Sequence, residues 1–257
     1  MQFDLLVRAA MAVGAVWVML RWEGRRGNAT GCSVDLFDAI LVSGAVGVLA
    51  GRIGAMVAVG INPITDPGQV LLVRTGVSAS VAAITAIVVL AFLARTDIAG
   101  IADAAAPAII FGLAGWHGSC VVDGSCGGTA TDVAWAISLP GSTVGRHPVE
   151  LYGAFLLTLV GVGLALWKQY GRPPRGTVAG VALTAVSGIR LATEPMRVSL
   201  IGGPMWLYGL GFVTGVGATL VAVLRRNRKS SVEARTQLVG PDRSEPRIDD
   251  DTADDDH

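Results

Sequence analysis

Charged residues are scarce in this chain of 257 residues. They make up 16% of it, whereas about a quarter of an ordinary soluble domain is charged. Hydrophobic residues make up 52%, and the mean hydropathy is +0.57. This composition excludes an ordinary soluble domain and predicts an integral membrane protein.

Several common functional signals are also missing. Three cysteines are too few for a disulfide scaffold. The sequence has no P-loop and no Gly-x-Ser-x-Gly elbow, and it shows no sustained internal repeat of the kind found in transporters. The first apolar run contains Arg8 and lacks a small-residue cleavage site. We therefore expect this run to be retained as a first membrane span.

Apolar stretches that can cross a bilayer, which takes about 20 residues, occur seven times. They cover residues 3–20, 36–61, 77–94, 100–122, 149–167, 176–194 and 203–224. The predicted fold class is therefore an all-α integral membrane protein with about seven transmembrane helices. The 34 glycines fit this class, because small residues let helices approach closely in lipid.

Basic residues are concentrated in alternate connections between these stretches. One set of connections carries Arg21, Arg25, Arg26, Arg95, Lys168, Arg172, Arg175, Arg225, Arg226, Arg228 and Lys229. The opposite set carries only Arg74, Arg146 and Arg197. Because Lys and Arg are enriched in cytoplasmic loops, the N-terminus is predicted outside and the C-terminus in the cytoplasm.

This topology divides the chain into a membrane domain and a tail. Residues 1–229 form the predicted seven-helix domain, with a long outer loop at 123–148. Residues 230–257 have few apolar side chains and end in an acidic run. Such a segment cannot bury enough surface to fold alone, so it is predicted to be a disordered acidic cytoplasmic tail.

The motif Arg146-His147-Pro148-Val149-Glu150-Leu151-Tyr152 places a cation, an imidazole and a carboxylate within five residues, just before an apolar run. Charge at the mouth of a membrane helix is costly unless polar groups lie beside it. Pro148 suits a helix start, and a helix N-terminus favours anions. The motif indicates a site for a charged lipid headgroup or a polar reacting group. The alternative is a capped loop with incidental surface charge.

A second polar cluster lies near the last two helices. Arg190 and Glu194 are spaced i,i+4 and share a helix face, and Arg197 follows them. An arginine in an apolar segment indicates a ligand site by default, although a structural ion pair explains the pattern equally well. Arg52, between glycines in an earlier span, is expected to face the bundle interior.

Cys120 and Cys126 both lie at the predicted outer face. They are compatible with a disulfide in an oxidising compartment, with reactive thiols, or with part of a metal site. No second Cys/His pair at ligand spacing supports a metal. His117 and Asp103 are expected to have structural roles.

Four segments occur in an order that is familiar from a known family. They are Gly51-Arg52-Ile53-Gly54, Ala106 to Gly115, Arg146 to Tyr152, and Gly188-Ile189-Arg190 with Glu194 and Arg197. Over residues 10 to 226 this series resembles the prolipoprotein diacylglyceryl transferase family of bacterial inner membranes. The resemblance implies seven spans with the N-terminus outside and a multi-pass protein of the bacterial plasma membrane.

The resemblance also implies a reaction. Members of this family move a diacylglyceryl group from phosphatidylglycerol to the thiol of a lipobox cysteine in a preprolipoprotein, and glycerol phosphate leaves. The expected partners are therefore phosphatidylglycerol, the lipobox segment and membrane lipids. No cofactor, metal or nucleic acid is expected.

The resemblance assigns candidate roles to individual residues. His147, Arg190 and Glu194 are the predicted catalytic residues. Arg190 and Arg52 are expected to hold phosphate, Glu194 to orient Arg190, and His147 or Glu150 to handle the proton. The predicted substrate-binding residues are Arg52, Gly127, Arg146, Glu150, Tyr152 and Arg197.

The chain departs from the family pattern at four positions. Trp116 and Ser119 stand where the family has arginine and asparagine, Ser80 where it has histidine, and Gly153 where it has glutamate. These departures affect groups that take part in the chemistry. They leave open an inactive relative that binds phospholipid or lipoprotein without transfer. The polar residues inside the predicted spans also leave open a small transporter or a structural subunit of a membrane complex.

Overall fold

A computed structural model describes residues 4–27, 35–65, 68, 76–139, 141–198 and 204–239. The helices are α1 (Asp4–Gly24), α2 (Leu36–Ala58), α3 (Ala79–Leu93), α4 (Ile98–Gly118), α5 (Cys120–Asp123), α6 (Val149–Gly171), α7 (Thr177–Thr193) and α8 (Met205–Val239). A 3-10 turn, Glu194–Met196, follows α7. Two short antiparallel strands, β1 (Ile137–Ser138) and β2 (Gly145–Arg146), lie between α5 and α6.

The predicted all-α class is confirmed, and each predicted apolar stretch overlaps one of the longer helices. Among the described residues, four helices are long and apolar enough to cross a membrane: Leu36–Ala58, Ile98–Val122, Val149–Gly171 and Met205–Arg228. Helix α3 is apolar but shorter, at 15 residues. Helix α8 continues to Val239, which is inside the range predicted as tail, and residues 240–257 lie outside the described part.

Helix α4 occupies the centre of the bundle. Its small side chains allow three neighbouring groups of helices to approach it: α6 and α7 at Ile110, α2 and the end of α3 at Ala105, and α1 and α6 at Ala108. Ala105 and Ala108 are completely buried. Each of the three clusters of buried apolar residues contains residues of α4, so this helix positions its neighbours.

A layer of polar contacts joins the helices at the N-terminal end of α4. Lys168 Nζ lies 2.7 Å from Glu23 Oε1 and joins α6 to α1. The Asp103 carboxylate accepts hydrogen bonds from the backbone N–H groups of Gly176 and Ala179, at 2.6 and 2.8 Å. These N–H groups would otherwise be unpaired at the start of α7. The structural role predicted for Asp103 is confirmed.

Helices α7 and α8 approach so closely that glycine is required between them. A Cβ atom added at Gly215 would lie 2.6 Å from the backbone N of Thr184 and 2.8 Å from the carbonyl O of Gly180. Both neighbours are backbone atoms, which cannot rotate away. This close contact holds α8 against the helix that carries Arg190.

We expect Gly215→Ala to lower the thermal stability of the protein, because overpacking of this kind costs about 1–3 kcal/mol. The matched control is Gly217→Ala, two positions along the same helix, where an added Cβ would meet nothing within 4 Å. The control should be neutral or slightly stabilising, since alanine is the better helix former. Thermal unfolding in detergent compares the two, and equal melting temperatures would contradict the close contact.

Candidate active site

Three chain segments converge at the end of the bundle opposite the Lys168–Glu23 layer. They are the last turn of α4, the first turn of α6, and the end of α7 with its 3-10 turn. Helix α6 begins directly after Pro148, so Glu150 lies in its first turn. A carboxylate is stabilised there by the partial positive charge of the helix N-terminus.

A continuous network of charged side chains links these segments. His117 Nδ1 lies 2.5 Å from Glu150 Oε2, and Arg197 Nη2 donates to Glu150 Oε1. Arg197 Nη1 lies 3.7 Å from Glu194 Oε2. Arg190 Nη2 lies 3.2 Å from the same Glu194 oxygen. The network therefore runs from α4 through α6 to α7.

Most of this network is removed from solvent. The Glu150 and Glu194 side chains are 11% and 7% exposed, and those of His117 and Arg190 are 11% and 13% exposed. Charges at such depth are tolerated when they are paired, and removing one partner is strongly destabilising. The arrangement of the five side chains is thus fixed by their mutual charges.

Helix α8 contributes Tyr208 to the same network. Arg190 Nη2 donates to the Tyr208 hydroxyl at 3.2 Å, and the Arg190 guanidinium carbon lies 5.3 Å from the centre of the Tyr208 ring. Contact with an aromatic face stabilises a guanidinium. Arg190 is therefore held from two sides, by Glu194 and by Tyr208.

The His147 side chain contacts the aromatic side chain of Tyr152. Its Nδ1 lies 3.4 Å from the Tyr152 hydroxyl, and the two rings meet edge to face with centroids 6.2 Å apart. The indole N–H of Trp135 donates to the same hydroxyl at 2.6 Å. Tyr152 thus links His147 to Trp135.

The loop between α5 and β1 reaches this site through backbone contacts. The Gly128 N–H donates to the His147 carbonyl at 2.7 Å, and the Thr129 N–H donates to the Met196 carbonyl at 2.8 Å. Arg146 Nη1 donates to the Gly128 carbonyl at 3.0 Å. A Cβ added at Gly128 would lie only 2.3 Å from the Met196 carbonyl O. Gly128 is therefore the residue at which this loop requires glycine.

Cys120 and Cys126 form a disulfide. The sequence left this pairing open among three alternatives, and the structure decides it. Arg8 Nη2 of α1 donates to Ser125 Oγ within the closed loop, at 2.7 Å. The disulfide and this hydrogen bond fix the chain directly before Gly127 and Gly128.

Opening this disulfide is expected to destabilise the outer loop. Cys120→Ser should lower the stability by about 2 kcal/mol, from the loop-closure entropy of a short loop, and a thiol reductant should lower the melting temperature of the wild type but not that of Cys120→Ser. The control is Cys32→Ser, which should respond to reductant as the wild type does. An unchanged melting temperature in Cys120→Ser would contradict a stabilising disulfide.

Residues 3–224 match the sequence profile of the family described as prolipoprotein diacylglyceryl transferase. The chain belongs to this family. A phosphatidylglycerol–prolipoprotein diacylglyceryl transferase of Pasteurella multocida is 29% identical over 215 residues, which cover 76% of this chain and 80% of the relative. The protein of the same name from Chromohalobacter salexigens is 30% identical over 193 residues, 72% of this chain and 70% of the relative.

Another relative of the same name matches over a shorter stretch. The Pseudoalteromonas translucida protein is 34% identical over 115 residues, which cover 44% of this chain and 43% of the relative. Membership of the family, predicted from four motifs, is confirmed.

The structure brings most of the predicted site residues of this family member together. Arg190, Glu194, Arg197 and Glu150 form one network. The remaining outer residues, His147, Tyr152, Arg146 and Gly127, adjoin it through the loop: a Cβ at Gly127 would lie 3.3 Å from Arg146 Cδ.

Arg52 occupies a different place. Its side chain is buried, as predicted, with the residue 2% exposed. Its guanidinium donates to the Gly76 carbonyl at 2.6 Å, at the junction of α2 and α3. The adjacent Gly51 carbonyl accepts a hydrogen bond from the Ser78 N–H. These contacts show Arg52 joining α2 to the segment before α3.

Sequence reasoning missed three residues of the site: His117, Trp135 and Tyr208. The available signal for His117 was its position at the outer end of a predicted span, the same level as Glu150. A carboxylate at a membrane helix end needs a cationic or polar partner. Nothing in the linear sequence indicated that Tyr208 would meet Arg190.

The four departures from the family pattern have defined positions. Gly153 lies one turn after Glu150, and a Cβ there would lie 3.8 Å from His117 Cγ. Trp116 precedes His117, and its carbonyl accepts a hydrogen bond from Ser119 Oγ at 2.7 Å. Ser80 Oγ lies 3.3 Å from Ser78 Oγ. Three of these positions therefore surround His117 in sequence or space.

Proposed function

We propose that this protein transfers a diacylglyceryl group from phosphatidylglycerol to the thiol of a lipobox cysteine, in the inner membrane of a bacterium. The observation that carries the proposal is the buried network around Arg190 and Arg197 at one end of an apolar helical bundle. The same reaction is supported by family membership and by the names of the relatives from Pasteurella multocida and Chromohalobacter salexigens.

Charge in the site favours an anionic ligand. Three guanidinium groups, of Arg146, Arg190 and Arg197, share this region with the two carboxylates of Glu150 and Glu194. The excess is positive, and guanidinium matches phosphate oxygens with two parallel hydrogen bonds. Such cations would bind the headgroup phosphate and stabilise the negative charge of departing glycerol phosphate.

The contacts support specific roles for the two glutamates. Glu194 lies between Arg190 and Arg197 and would orient both guanidinium groups. The two oxygens of Glu150 are engaged by His117 and Arg197, which favours an orienting role for Glu150 over proton transfer. His147, Tyr152 and Gly127 would line the adjoining part of the substrate site.

We propose seven membrane spans, with the N-terminus outside and the C-terminus in the cytoplasm. The distribution of Lys and Arg supports this orientation. The disulfide between Cys120 and Cys126 also supports it, because disulfides persist in oxidising compartments outside the cytoplasm. This orientation places the site at the outer face, where a lipoprotein precursor presents its lipobox.

One alternative function has a specific observation in its favour. An inactive relative would bind phospholipid or a lipoprotein without transfer, and the departures at Trp116, Ser119, Ser80 and Gly153 favour it. Such a protein would keep the cationic network and lose the reaction.

Transfer in proteoliposomes distinguishes the two functions. Phosphatidylglycerol labelled in its glycerol backbone and acyl chains is mixed with a lipobox peptide, and the Pasteurella multocida relative is assayed in parallel. We expect label on the peptide in a thioether, and none on a peptide with serine in place of cysteine. Suppose instead that this protein binds phosphatidylglycerol but puts no label on the peptide, while the Pasteurella multocida protein does label it. That result would show that this protein is an inactive, lipid-binding member of the family.

A further inference from the structure

His117 is the residue of the network to which neither the motifs nor the roles above assign a function. It is contributed by the last turn of α4, whereas the other members come from α6, α7, the 3-10 turn with the residue directly after it, and α8. Its Nδ1 lies 2.5 Å from Glu150 Oε2, and its side chain is 11% exposed. An imidazole at the edge of a buried network is positioned to exchange a proton with a bound group.

The contact with Glu150 determines which ring nitrogen is available. A carboxylate only accepts hydrogen bonds, so the hydrogen on the imidazole is on Nδ1, facing Glu150. Nε2 then carries the lone pair. Arg197 holds the other Glu150 oxygen, so that the carboxylate cannot turn away from the imidazole.

The surroundings of His117 leave space for this arrangement. Gly153 faces the ring, with a hypothetical Cβ only 3.8 Å from His117 Cγ. A side chain longer than alanine at position 153 would extend into the space of the imidazole. The glycine and the histidine are therefore matched to each other across the α4–α6 interface.

The second histidine of the site has a different environment. The His147 ring contacts the neutral Tyr152 hydroxyl at 3.4 Å, whereas His117 contacts a carboxylate. A carboxylate on Nδ1 fixes the tautomer of a histidine and stabilises the imidazolium that forms when Nε2 takes a proton. Of the two, His117 has the arrangement expected of a proton acceptor.

We propose that His117 Nε2 accepts the proton of the lipobox thiol, with Glu150 as the residue that positions it; this rests on the proposed transferase function. The thiol proton moves to Nε2 and leaves a thiolate, which is the nucleophile. The thiolate forms a C–S bond to the diacylglycerol carbon that carries the phosphoester oxygen. The C–O bond breaks, its electron pair goes to the oxygen of glycerol phosphate, and His117 releases its proton to that anion or to water.

The test uses His117→Asn, which keeps an N–H donor for Glu150 and lacks an ionisable ring. General base catalysis contributes about 100- to 10 000-fold, so we expect kcat/KM with a cysteine peptide to fall by about 100-fold or more. A selenocysteine peptide supplies an acceptor that is already ionised at neutral pH. With that peptide His117→Asn should regain a rate close to that of the wild type.

The control is His257→Asn, which changes the third histidine of the chain and should act as the wild type does with both peptides. Thermal unfolding of His117→Asn must first match the wild type, and His117→Gln is the second variant if it does not. Full activity of a folded variant with the cysteine peptide would overturn the proposal. An equal loss with both peptides would overturn it as well, since it indicates a purely structural role. Failure of the proposed function appears separately, as a wild type that labels neither peptide.

Discussion

Replacing Arg190 with alanine is expected to lower diacylglyceryl transfer by about 100- to 1000-fold, the usual loss when a donor to a developing anion is removed. Arg190 is held between Glu194 at 3.2 Å and the Tyr208 hydroxyl at 3.2 Å. Because the guanidinium is already held in place, it would need little reorganisation to bind phosphate. Under the proposed function much of this loss should appear in kcat, because the cation would stabilise the departing glycerol phosphate more strongly than the intact diester.

Two further variants separate charge from geometry. Arg190→Lys keeps the charge but cannot contact Glu194, Tyr208 and two phosphate oxygens together, so it should recover only part of the rate. Arg226→Ala removes an exposed arginine of α8 and should leave the rate unchanged. Transfer to a lipobox peptide in proteoliposomes measures all three variants, and a rate in Arg190→Ala equal to the wild type would disprove the assignment of Arg190.

Replacing Glu150 with alanine is expected to be the most destabilising change in the site. It leaves His117 and Arg197 without their shared carboxylate, in a region where the Glu150 side chain is 11% exposed. Breaking a buried ion pair by removing one partner costs about 3–5 kcal/mol. We expect a large fall in the melting temperature and loss of transfer.

The comparison for Glu150→Ala is Asp38→Ala, in the first turn of α2. Asp38 is also an acidic residue near a helix N-terminus, but it is exposed, so its removal should cost only about 0.3–1 kcal/mol. In the double variant Glu150→Ala, Arg197→Ala the loss of unfolding free energy should be less than the sum of the losses in the two single variants, since Arg197 is no longer left without its carboxylate. Additive losses would show that the two residues do not interact.

The apolar stretches and the basic connections were sufficient to predict the helices. Each span from 3–20 to 203–224 corresponds to a helix in the structure, because hydrophobic length and helix formation are local properties of a segment in a membrane. The motif at Arg146–Tyr152 and the Arg190–Glu194 spacing also identified residues that lie in one network. Pairs such as Arg190 and Glu194 are set by helix periodicity alone.

Contacts between distant segments could not be predicted from the sequence. Glu150 was predicted to bind substrate or move a proton, and that prediction did not include the contacts of its oxygens with His117 and Arg197. Arg52 was predicted to hold phosphate, and that prediction did not include its hydrogen bond to the Gly76 carbonyl. Which cation meets which carboxylate depends on how α4, α6 and α7 are rotated about their axes, and a helical wheel fixes only relative positions within one helix.

The class of this protein, its helices and its family could be predicted from the sequence, because hydrophobicity and motif order are properties of the chain itself. Three other features depend on tertiary contacts and could not be predicted from the sequence alone: the pairing of His117 with Glu150, the requirement for glycine at Gly128, and the disulfide between Cys120 and Cys126. These contacts link α4 to α6, the outer loop to the 3-10 turn, and the start of α5 to the loop that follows it. They exist because the small residues of α4 let its neighbours pack close enough to set the rotation of each helix.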